Sequence, residues 1–103
     1  MTKEEILALQ LGPEMDALVM SEVMGGASTS GDLPGFSTDI AAAWEVLKKF
    51  EWVQLLKGQM GLWTCTIRKY RGTAFKEFQA LSRQAPEAIC RAALQAVALD
   101  NSR

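Results

Sequence analysis

The chain predicts an α+β domain: N-terminal helices, a two- or three-stranded antiparallel sheet and a C-terminal helix. Three observations carry this. The stretch Phe36-Ser37-Thr38-Asp39-Ile40-Ala41-Ala42-Ala43-Trp44-Glu45-Val46-Leu47 joins a helix start signal to an apolar stripe. Ala85-Pro86-Glu87-Ala88-Ile89-Cys90-Arg91-Ala92-Ala93-Leu94 repeats the pattern near the C-terminus. Between them the apolar period falls from helical to alternating around a glycine-bearing turn.

The elements follow in order. Thr2-Lys3-Glu4-Glu5 has the capping-box pattern and opens a short helix to about Leu9. Gly12-Pro13 restarts the chain, because proline at the first helical position lacks a donor that would be orphaned there. Met15, Leu18, Val19 and Val23 recur at helical spacing, with Glu14, Asp16 and Glu22 turned away, until Met24-Gly25-Gly26 ends the helix. Residues 25–35 read as a flexible loop, longer than an ordinary connection. Ser37 or Thr38 caps the next helix, whose expected buried stripe is Ile40, Ala43, Trp44 and Leu47. Trp52 to Leu56 reads as a strand, residues 58–61 as a hairpin turn and Leu62 to Tyr70 as the partner strand. Trp63, Cys65 and Ile67 share one face, and Thr64, Thr66, Arg68 and Tyr70 the other, so one face meets the core and one is open. Arg71-Gly72-Thr73 is a second turn. Residues 74–81 fit a helix through Phe75, Phe78 and Leu81, or a third strand that completes a meander; the strand is the reading taken.

Composition narrows the function classes. At 103 residues there is room for a single domain over residues 1–103 with one modest core. Eleven basic against twelve acidic residues give a net charge of −1, which implies no attraction for a nucleic-acid polymer and favours self-association into a homo-oligomer. The N-terminal residues do not resemble a secretory signal, and no apolar run reaches a membrane span, so the expectation is a cytoplasmic protein with no membrane partner. Two cysteines, Cys65 and Cys90, fall in segments expected to be buried, as small hydrophobes rather than a disulfide. Histidine is absent, and the cysteines are too far apart for a zinc pair. No phosphate loop, nucleophile elbow or paired acidic motif occurs, so no catalytic residue, metal or cofactor is assigned and the chain is not expected to be an enzyme.

The ordered set GPEMDALVMSEVMG, FSTDIAAAWEVLKKF, a tryptophan-bearing strand and APEAICRAAL resembles the phage ABA sandwich domain family over roughly residues 2–98. The resemblance implies a small α/β/α sandwich from a phage or prophage. It brings no established activity and no catalytic residue, and the chain departs from it in the central loop and in residues 68–84.

Several residues carry chemistry beyond packing. Ser37 and Thr38 either cap their helix or present hydroxyls and free amides to an anion, although Asp39 would compete with that charge. Trp44 is assigned to the core. Trp63, beside a turn, either covers the core edge or stacks on a ligand. Thr66, Arg68 and Tyr70 on the open face, with Arg71, combine hydroxyl, guanidinium and phenol in the way a nucleotide requires. Arg91 either pairs with Glu87 four residues back or faces a ligand. By analogy with small phage accessory proteins, the expected function is sequestration of a small nucleotide-type immune signal without turnover. The alternative is an inhibitor or adaptor acting on a host protein. A third reading, a small nucleotide-processing enzyme, needs Asp32, Asp39 or Glu77 facing a pocket.

Overall fold

The computed structural model describes residues 3–9, 12–25 and 35–98. Three short helices come first: α1 (Lys3–Ala8), α2 (Pro13–Glu22) and α3 (Ile40–Leu47). The sheet follows as β1 (Trp52–Lys57), β2 (Trp63–Arg71) and β3 (Ala74–Ser82), and α4 (Ala85–Ala98) closes the chain. The α+β class, the third strand and the C-terminal helix are therefore as the sequence predicts. Thr2 of the capping box and residues 26–34 of the loop lie outside the described residues.

The strands pair antiparallel in the order β1-β2-β3. The β2–β3 ladder runs unbroken from Trp63↔Ser82 to Arg71↔Ala74. Gly72, at φ 65, supplies the left-handed turn between these strands that a side chain would strain.

Helix α4 packs beneath β2 and β3, and α1, α2 and α3 pack against α4. That position explains its composition: Ala88, Ile89, Cys90, Ala92, Ala93, Leu94 and Ala96 are all buried, and alanine lets both the sheet and its helical neighbours approach closely. Its buried Gln95 donates to the Gln79 carbonyl of β3 at 3.1 Å, so the amide is not stranded in the core. Cys65 and Ile67 face α4 and are fully buried. No described helix covers the opposite face, which leaves the open face that the alternation along β2 predicts. Thr66 departs from that simple alternation: it is buried although it points to the open side, and Gln79 beside it donates to its hydroxyl at 3.2 Å.

Three helix expectations need correction. The buried residues of α3 are Ala43, Val46 and Leu47, whereas Ile40 and Trp44 are 47% and 51% exposed. Asp39, not Ser37 or Thr38, caps α3, accepting from the Ala41 amide at 3.0 Å. Asp16, expected to turn outward, is buried on α2 and accepts the Ser37 amide at 2.8 Å.

Candidate functional site

The structure divides the sequence-derived candidates among four places. Ser37 is fully buried in the junction of α2 and α3. Its hydroxyl accepts the Gly12 amide at 2.8 Å while its own amide is held by Asp16. These contacts join residues 21 and 25 positions apart and leave no surface for a ligand.

Arg91 serves a second junction. Its guanidinium donates to the Leu9 carbonyl at 2.6 Å and lies 3.3 Å from the Glu87 carboxylate. Ser82 donates to the same carboxylate, so one acidic group ties the end of β3 to the first turn of α4. Arg91 thus makes the ion pair expected from its spacing, and it also fastens the end of α1 to α4.

The third place is the open sheet face. Arg68 is clamped there: its guanidinium carbon lies 4.2 Å from the Trp52 ring centre and 4.5 Å from that of Phe75. Its Nε donates to Glu77 at 2.8 Å, and an outer nitrogen reaches the Tyr70 hydroxyl at 3.5 Å. The hydrogen bonds to Tyr70 and Glu77 push the guanidinium still further above its usual range, so it stays charged at any working pH. With two rings against its guanidinium and a carboxylate at its edge, Arg68 is already engaged on the sheet. Tyr70 in turn packs its ring 5.3 Å from Phe75. Strand alternation sends Arg71 to the opposite face from Arg68 and Tyr70, so the basic run does not act as one patch.

The fourth place brings Thr38 and Trp63 together, 25 positions apart in sequence. A groove of about 630 Å³ opens between the starts of α3 and α4 and the end of the β1–β2 hairpin. Ile40 and Trp44 of α3, Leu55 of β1, Trp63 of β2 and Ala85 and Pro86 of α4 form its apolar wall. Thr38 and Gln84 supply its polar groups. Lys57, paired with Trp63 across the hairpin, holds its ammonium 5.6 Å from the Trp63 ring centre. The volume falls within the usual range for a small-molecule site, as does an apolar wall with a few polar groups. Two partly exposed indoles, a hydroxyl, an amide and a neighbouring cation can stack a planar ring, hydrogen-bond its edge and attract a negative charge.

Trp44 and Gln84 were missed as site residues. Exposure is the feature that singles out Trp44, and the sequence had hidden it, since every residue of α3 but Glu45 is apolar. The carboxylates considered for catalysis are engaged elsewhere: Asp39 caps α3 and Glu77 holds Arg68, while Asp32 lies outside the described residues. Among the described residues, no cluster of histidine, cysteine, aspartate or glutamate is arranged to hold a metal, and no helix is long and apolar enough to cross a membrane.

Comparison with known proteins places this geometry in a family. The model of the phage ABA sandwich domain matches residues 6–94. The fold is similar to that of a phage protein from Bacillus cereus ATCC 14579 solved at 2.0 Å, with a TM-score of 0.69 and 24% identity. That likeness covers 87% of this chain and 94% of the other. No curated protein matches the chain.

Proposed function

The chain belongs to the phage ABA sandwich domain family, and from that premise we propose that it is a phage accessory protein that captures a small nucleotide-type ligand in the Trp44–Trp63 groove. The proposed role is counter-defence: the protein holds an immune signal out of circulation and returns it unchanged. The observation that carries this reading is the exposure of Trp44, at 51%, on the wall of a groove shared with Trp63. An indole left half in water on a helix that buries Ala43, Val46 and Leu47 gains stability when a planar ring covers it, by about 1–3 kcal/mol per stacked base. Gln84 and Thr38 would meet a base edge, and Lys57 a phosphate. The cap at Asp39 argues against anchoring a phosphate on the α3 amides, because its carboxylate already accepts from Ala41 and would repel a second negative charge.

Titration of the protein with a panel of linear and cyclic nucleotides, followed by tryptophan fluorescence and calorimetry, tests the proposal. Binding is expected for at least one member, with loss of at least tenfold in affinity for Trp44→Ala and Trp63→Ala and recovery of the nucleotide intact. Turnover of the nucleotide would replace capture with catalysis. Equal binding by both variants would remove the groove.

A further inference from the structure

The open face of the sheet carries a second pattern, independent of the groove. Strand pairing lines its side chains up in four rows. Leu56, Thr64 and Leu81 form the first, and Gln54, Thr66 and Gln79 the second. Trp52, Arg68 and Glu77 form the third, and Tyr70 and Phe75 the fourth. The outer rows carry the large exposed side chains: Leu56 is 53% accessible and Leu81 52%, on either side of Thr64, and Phe75 is 46% and Tyr70 43% accessible. The inner rows are polar except for Trp52. Such a sequence of apolar, polar, polar, apolar reads the same from either end.

We propose that this face is an isologous interface at which two copies of the chain pack sheet on sheet. A two-fold axis across the strands reverses the row order, so each row meets its counterpart from the other end. Leu81 then lies on Phe75 of the second copy, and Thr64 on Tyr70. Gln79 meets Glu77, an amide donor facing a carboxylate acceptor, and Arg68 meets Thr66. The alternative axis, along the strands, sets Arg68 on Arg68 and is disfavoured by like charge. Like charge therefore disfavours one orientation, and the matching order of the rows from either end is what fits a second copy of the chain. The guanidinium and carboxylate of the third row are already paired with each other at 2.8 Å, which lowers the cost of covering them. A net charge of −1 adds little repulsion between copies.

Three rows across three strands and a fourth across two make a face of roughly 30 by 15 Å. That is at the low end of specific interfaces, so the dimer forms with rising concentration rather than being obligate. Sheets packed in this way lie about 10 Å apart with strands within about 30°.

Sedimentation of the full chain across a concentration series reads the result. The wild type should move from the mass of one chain to that of two. Leu81→Lys and Phe75→Glu should each remain at one chain, with unchanged circular dichroism because both positions are exposed. Mixed in equal amounts, the two variants should regain the double mass, since one contact becomes Lys against Glu and the other stays Phe against Leu. A wild type that stays at one chain throughout overturns the proposal, as do single variants that still dimerise or a mixture that stays at one chain. A complex with a different protein at this face, formed by a wild type that never pairs with itself, overturns it as well. Nucleotide capture is unaffected by either variant if the groove is the ligand site, so failure of one proposal leaves the other standing.

Discussion

Cys65 and Cys90 show what burial does to a reactive group. Both are free and buried, and burial pushes the Cys65 thiol up to about 12 and that of Cys90 higher still. The folded protein holds both as neutral thiols, whereas an unfolded chain ionises them near about pH 8.5. Above that value the unfolded state binds fewer protons than the native one, so stability is intact at neutral pH and falls as pH rises from about 9 towards 12. Thiol labelling at pH 8 should accordingly be slow in the native protein and complete at both cysteines in denaturant. Rapid labelling of either residue under native conditions would contradict the burial. Arg91 makes a different point. Arg91→Ala removes the donor to Leu9 and leaves Glu87 with less charge compensation, at an expected cost of about 2 kcal/mol in denaturant unfolding. Ligand capture measured under folding conditions should not change, because Arg91 is not on the groove.

The junctions between elements explain why some expectations held and others failed. The helix starts at Pro13 and beside Pro86, the hairpin turn and, Thr66 apart, the alternation along β2 are local signals, and each is realised within a residue of its expected place. The inward arc of α3 is not a local property. Its residues are apolar on nearly every side, so spacing alone could not distinguish Trp44 from Val46, and packing against α4 decided it. Asp16 and Ser37 were misread for a similar reason: their hydrogen bond spans 21 positions and has no signature in either segment. Asp16→Ala should strand the buried Ser37 amide and cost about 1–3 kcal/mol. Asp39→Ala should cost about 1 kcal/mol through loss of the α3 cap. The larger effect at Asp16, read by thermal or urea unfolding, would separate a long-range latch from a local cap.

At the scale of the molecule, the described helices gather on one side of the sheet, and two of the exposed surfaces carry the proposals. One is the groove where α3, α4 and the β1–β2 hairpin meet, and the other is the four-row sheet face on the far side. The sequence grouped Trp63 with Arg68, Tyr70 and Arg71, and offered the Ser37-Thr38 helix start and the open sheet face as alternative places for a ligand. Only the fold separates them, because strand direction and the placement of α3 determine which residues share a surface. The contacts of Trp52 and Phe75 hold Arg68 against the sheet rather than leave it a free ligand-binding cation. The central claim is ligand capture at the groove. Its most direct test exposes purified wild type and Trp44→Ala to an extract of bacteria with active nucleotide immune signalling. The washed proteins are then heated, and the released small molecules identified by mass spectrometry. The account predicts an intact nucleotide released from the wild type and at least tenfold less from the variant. No nucleotide from either protein, or equal release from both, would contradict it.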